Sequence, residues 1–292
     1  MKRKLLTGVL LLAALAAAPA LATPAFPKAT RAAPPQFDDK DTLAEAVANP
    51  ARTPAFVARD RWRHPDESLT FWGVRPGDVI IDIDPGGGYW TEILSVFAKK
   101  TGGRYVGAVA DLNDPKLSDG RRQGVARFQA KFADVSAWGK VATTGFGAVS
   151  GPMAPAGSVD FILSGRNIHN FMWGGILDKM LADSFAALKP GGVLAVEEHR
   201  ADPRPMVADA RDGYVSEAYV IAAAEKAGFV LDGRSEINAN PKDSKDYPFG
   251  VWTLPPTRQS APNGQPPNPA FDHTRYDAVG ESDCMTLRFR KP

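Results

Sequence analysis

"VIIDIDPGGGYW", Val79 to Trp90, is the stretch on which the reading of this chain turns. Val79 to Ile83 is a continuous β-rich run, as expected of a strand buried on both faces. Three glycines follow, then an aromatic pair. Glycine lets a backbone approach a ligand closely, so the run reads as a strand entering a binding loop. Asp84 stands immediately before Pro85 and the glycines, where a nucleotide-binding loop commonly has another glycine.

Outward from that loop, strand-like and helix-like segments alternate. Tyr89–Lys99 is a predicted helix, Tyr105–Ala110 a second strand ending at Asp111, and Pro115–Asp134 polar and mostly helical. Lys140–Phe146 is a weaker third strand and "VDFILS", Val159–Ser164, a fourth. Gly175–Leu188 is an amphipathic helix ended by "KPGG", followed by a strand at Val193–Glu197 and a helix at Val215–Ala227. Phe229–Asn238 and Met285–Arg290 are the last strands, joined without a helix by the Pro-rich stretch Leu254–Asp272. The pattern predicts an α/β fold, a doubly wound, seven-stranded, mostly parallel sheet whose last strand is antiparallel. Upstream, Asp41–Val47 is a short helix that Pro50 stops, and Pro65 opens another helix that Gly73 ends.

The N-terminus reads differently. Lys2-Arg3-Lys4, the apolar run Leu5–Ala18 and the small-residue site Ala20-Leu21-Ala22 form the series of a cleaved secretory signal peptide over 1–22. Residues 23–58 are then a leader with a short helix and 59–292 the folded domain, in the periplasm or secreted. The whole chain carries 35 basic and 33 acidic residues, and removing Lys2, Arg3 and Lys4 leaves 32 against 33. The excess of positive charge therefore sits in the targeting segment, and no basic face for a nucleic acid is expected. The short apolar run gives no stable membrane anchor after cleavage. The single cysteine, Cys284, excludes an intrachain disulfide and is expected to be a buried small hydrophobe.

In an open α/β sheet, ligands bind beyond the carboxyl ends of the strands near the first crossover. Asp84, Gly86, Gly87 and Gly88 fall there, and Asp111 stands about 20 residues on, where an acid accepts ribose hydroxyls. A dinucleotide fingerprint needs a third small residue, and Thr91 occupies that place. S-adenosylmethionine is the other nucleoside reading, and a ligand-free βα turn stays open beside both. No HExxH, paired CxxC or GxSxG occurs, so no metal ligand set is predicted.

"RHPDESLTFWGVRPGD", "PGGGYWTEIL", "RNIHNF", "EEHRA" and "GFVLDGRS" come in this order. The set resembles the class I S-adenosylmethionine-dependent methyltransferases over Pro65 to Pro292, and looks closest to a bacterial family of such proteins with signal peptides. The resemblance implies a methyltransferase acting on a small-molecule acceptor. It implies that Asp82 organises the loop, that Gly86 and Gly88 lie against the methionine part of the cofactor, and that Asp111 holds the ribose. Asp84 departs from the family's usual glycine. Its carboxylate would lie near the cofactor's carboxylate, face its ammonium, or cap the next helix. On the acceptor side, Arg166 is a candidate anion ligand, Asn167 a candidate donor-orienting group and His169 a candidate base, with His199 as a second one. Arg61, Arg63 and His64 are read as a lid or as a solvated charge cluster. An exported, non-catalytic binding protein that kept this fold is the alternative function.

Overall fold

The computed structural model describes residues 39–206 and 210–292. The leader up to residue 38 lies outside them. Seven strands form one sheet: β1 (Val79–Ile83), β2 (Arg104–Ala110), β3 (Val141–Phe146), β4 (Val159–Gly165), β5 (Leu188–His199), β6 (Val230–Ser235) and β7 (Cys284–Arg290). Their order is β3-β2-β1-β4-β5-β7-β6. The first five pair in parallel, and β7 is antiparallel to both β5 and β6.

Alternation along β1 explains the two layers. Ile80 packs into one cluster with Trp72, Ile93 and Phe97, while Ile81 and Ile83 enter the other with Met180, Leu181 and Val220. The first layer is built by α1 (Asp39–Val47), the short α2 (Pro54–Val57) and α3 (Asp60–Arg63), α4 (Pro65–Trp72), α5 (Thr91–Thr101), α6 (Asp119–Lys131) and α7 (Val135–Trp138). The second is built by α8 (Ile168–Trp173), α9 (Leu177–Ala187) and α10 (Glu217–Lys226), with a short α11 (Thr274–Val279) in the insert before β7. Both faces of the sheet are thus covered, which is why its strands read as apolar runs. Among the described residues, no helix is long and apolar enough to cross a membrane.

Two of the departures from expectation have a local physical cause. "LKPGG" closes α9 but also opens β5, which begins at Leu188. Leu188 pairs with Val159 and Val193 with Phe161, so a register break absorbs the Pro-Gly-Gly step. The segment 42–58, expected within the leader, packs on the domain: Leu43, Ala46 and Arg52 are buried. The Arg52 guanidinium forks onto Asp60 at 2.7 and 2.8 Å. Thr53 donates its N–H to Glu92 at 2.9 Å, and Phe56 comes to rest beside Gly87. Cys284 is buried at the start of β7, and burial pushes its thiol up to about 12, which makes it inert at neutral pH.

Candidate functional site

The carboxyl ends of β1, β2 and β4 meet at one point, and Asp84 is the wall common to three cavities there. One, of ≈ 220 Å³, reaches past Asp111 to Phe146 and Asn170. A second, of ≈ 310 Å³, is a funnel between Arg63, Tyr89, His169, His199 and Trp252. A third, of ≈ 480 Å³, runs under α6 between Gly86, Arg121 and Phe128.

The loop is shaped by its backbone. Asp84 has φ +50° and Gly86 φ +57°, both left-handed, and nothing lies within 4 Å of where a Gly86 side chain would start. Gly86 is therefore open to a ligand. Gly88 is not: its φ is +89°, and a Cβ there would stand 2.4 Å from the Phe132 ring. The missing side chain lets the start of α5 settle on Phe132. Gly87 lies beneath Phe56, which would stand 3.3 Å from an added Cβ.

Asp84 does not cap the next helix. Its Oδ2 accepts from Arg121 at 3.1 Å, an ion pair that is half exposed on the arginine side. The charge expected to oppose a ligand carboxylate therefore has a counter-ion on α6. Asp82 lies behind the loop, 2 % exposed, and accepts from the Tyr105 hydroxyl at 3.0 Å; Tyr105 is bonded in turn to Thr91 at 2.7 Å. Burial raises its carboxyl to about 7, the Tyr105 bond opposing and the Asp84 charge assisting. Asp111 is buried at the end of β2, where Gly145 of β3 leaves it room: a Cβ there would meet Oδ1 at 2.9 Å. Oδ1 accepts from the Asn113 backbone and side chain at 3.0 and 3.2 Å. Oδ2 takes no bond from the described residues, so it is free for a ligand hydroxyl, and a nucleoside fits the donor and acceptor set here.

The acceptor side is rearranged relative to the expectation from sequence. Arg166 is buried and committed: Nε donates to Glu197 at 2.8 Å and Nη1 bonds Glu281. Burial works against its charge, and Glu197 and Glu281 overcome it. Its charge is matched inside the protein, while Nη2 has no hydrogen-bond partner among the described residues and the residue lines the funnel. Asn167 donates its amide to the carbonyls of Ile83, Asp84 and Gly165, at 3.3, 3.0 and 3.3 Å. It staples the β1 loop to β4 and has no donor left for an acceptor, so its role is positioning. His169 does face the funnel. It is buried, and Nδ1 bonds Glu198 Oε1 at 2.8 Å. His199, the last residue of β5, sits with its ring centroid 5.2 Å from that of His169 and bonds Ser282 through Nδ1. Burial, then His169 and the arginines nearby, hold its imidazolium well below the ordinary value, so His199 is neutral at neutral pH.

Of the lid candidates, Arg63 lines the funnel, while Arg61 stacks on Trp62 and His64 turns to Asn238. Four features escaped the sequence reading. Arg59 joins Arg63 in the lid, Glu281 binds Arg59, Arg63 and Arg166 together, Glu198 orients His169, and Trp252 closes the funnel from the insert.

Comparison with known proteins agrees with this architecture. No family model matches the chain. A curated relative, the ubiquinone/menaquinone biosynthesis C-methyltransferase UbiE of Hydrogenovibrio crunogenus, is 31% identical over 144 residues, which is 49% of this chain and 50% of that protein. The chain thus matches half the length of that relative. Among solved structures, the [4+2]-cyclase SpnF superposes with a TM-score of 0.52 at 17% identity, covering 86% of this chain and 93% of that one. A SAM-dependent methyltransferase from Aquifex aeolicus gives 0.48 at 20% identity, covering 70% and 94%. With its strand order, its antiparallel β7 and its glycine loop after β1, the chain has the fold of the class I S-adenosylmethionine-dependent methyltransferases.

Proposed function

We propose that this protein is an S-adenosylmethionine-dependent methyltransferase that acts on a small-molecule acceptor. The observation that carries the reading is the meeting, at Asp84, of a cavity ending at Asp111 with a funnel walled by imidazoles. When bound, S-adenosylmethionine supplies an electrophilic methyl group on a sulfonium. The chain's own contributions are separate from that chemistry. Asp111 Oδ2 accepts ribose hydroxyls, and the open backbone at Gly86 admits the amino-acid part. Phe56, Tyr89 and Trp252 exclude water from the funnel, and proximity and orientation supply most of the rate. His169 and His199 line the acceptor side of the funnel. The relative's role in quinone biosynthesis fits a small-molecule acceptor, as does a funnel of ≈ 310 Å³.

The role of Asp111 is the test. Asp111→Ala is expected to weaken S-adenosylhomocysteine by about 1–3 kcal/mol, the scale of a lost hydrogen bond to a charged group. Unchanged affinity in a folded variant would remove Asp111 from the site. Export belongs to the same proposal and rests on Met1 to Ala22. Mass spectrometry of the protein from its host should show a new N-terminus near Thr23, and soluble cytoplasmic protein beginning at Met1 would contradict it.

A further inference from the structure

We infer that His169 and His199 hold a divalent transition-metal ion on the acceptor wall of the funnel. Each comes from the carboxyl end of one of two adjacent parallel strands, His199 as the last residue of β5 and His169 on the first turn of α8 after β4. His169, Glu198 and His199 each offer one ligand atom, and these three atoms all lie within 4.8 Å of one another, with the two imidazole ring centroids 5.2 Å apart. Two nitrogens bound to one first-row ion at about 2.1 Å each stand roughly 3–4 Å apart, so the rings must turn to bring both to one ion.

The supporting shell is already built. Both Nδ1 atoms are engaged, His169 with Glu198 and His199 with Ser282, which leaves both Nε2 atoms as the remaining donors. A ligating histidine ordinarily gives its other nitrogen to a carboxylate or similar group, which fixes the ring. Glu198 is fully buried and is itself fixed, accepting the backbone N–H of His169 at 3.2 Å and of His199 at 2.7 Å. A dication needs a wall without net positive charge. Arg59, Arg63 and Arg166 are matched there by Glu197, Glu198 and Glu281. Imidazole nitrogens suit zinc, cobalt, nickel or iron over magnesium or calcium. Two protein ligands leave coordination positions open on the funnel side. The ion's use in catalysis rests on the methyltransferase reading, but its binding does not.

The full chain, purified without a tag and stripped with a chelator, is titrated with Co²⁺ by visible absorbance and with Zn²⁺ by calorimetry. One saturable ion per chain is expected. His169→Asn and His199→Asn keep a nitrogen near the Nδ1 position and remove Nε2, and each should abolish the saturable binding. Glu198→Gln should weaken it by about 10- to 100-fold. His273→Ala, on the flank of α11, should leave it unchanged. Near-ultraviolet circular dichroism of each variant checks the fold, and S-adenosylhomocysteine titration of the same samples reads the cofactor site separately. No saturable binding to the wild type, or binding that persists in the folded double variant, would overturn the inference. Lost metal with intact adenosyl binding, or the reverse, tells which proposal failed.

Discussion

Glu281→Gln is expected to lower the stability of the fold by about 3–5 kcal/mol, the cost of leaving buried charge without its partner. Glu281 is 2 % exposed and is the shared counter-ion of Arg59, Arg63 and Arg166. Burial pushes its carboxyl up, but Arg166, Arg63 and Arg59 more than offset this and hold it at about 2, against an ordinary 4.5. The sign follows from that depression. The folded state prefers the ionised form, so the contribution is present above pH about 4.5 and is lost as pH falls toward 2. Its size, at 1.36 kcal/mol per unit, is about 3 kcal/mol. Urea unfolding should show a lower midpoint for the variant at pH 7 and a gap that closes toward pH 2–3. Equal midpoints at pH 7 would mean that the three guanidiniums find other compensation. Because Arg63 lines the funnel, the same variant should also disturb the lid.

Asp82→Asn is expected to act in the opposite direction. The folded carboxyl lies near 7 and the ordinary value is 3.8, so the folded state holds a proton that the unfolded chain has lost. Stability from this group therefore falls as pH rises from about 4 to about 7, by roughly 4 kcal/mol, and stays low above that. Asparagine keeps an oxygen for the Tyr105 hydroxyl and has no charge to desolvate. Thermal unfolding should show the variant more stable than wild type at pH 8, by about 8–16 °C for a domain of this size. The gap should shrink toward pH 4. A gap independent of pH would show that Asp82 is ionised throughout. Since the Asp84 charge helps to raise Asp82, Asp84→Gly should move the transition to lower pH.

The fold was legible because both sheet faces are covered, so each parallel strand announced itself as an apolar run. β1 was located to the residue, and β2, β4 and β7 each differ by one residue at one end. The miss at "LKPGG" has a local cause. A Pro-Gly-Gly step normally separates elements, but here a register break lets β5 run through it. The packing of residues 42–58 on the domain was not legible because Arg52 and Thr53 bind Asp60 and Glu92, polar contacts that leave no periodic signal. Glycines were easier to find than to interpret. Gly86 and Gly88 look alike in sequence, yet one opens on a cavity and the other on the Phe132 ring. The acceptor wall was only half legible. Of "RNIHNF", His169 faces the funnel, whereas Arg166 and Asn167, expected to reach toward a ligand, bond Glu281 and the Ile83 and Asp84 carbonyls, which come from distant parts of the chain.

We propose that Asp84, Gly86 and Asp111 belong to an adenosyl site on which Asp84, paired with Arg121, acts as a partly neutralised brake. Calorimetric titration of the full chain with S-adenosylhomocysteine, run beside Asp84→Gly, tests it most directly. Glycine accepts the left-handed backbone at this position and gives up only a surface ion pair with Arg121, so the fold should be kept. The expected result is one-site binding by the wild type and tighter binding by Asp84→Gly, with a larger difference at low salt, where charge is less screened. Absence of binding by either protein at millimolar ligand would contradict the account.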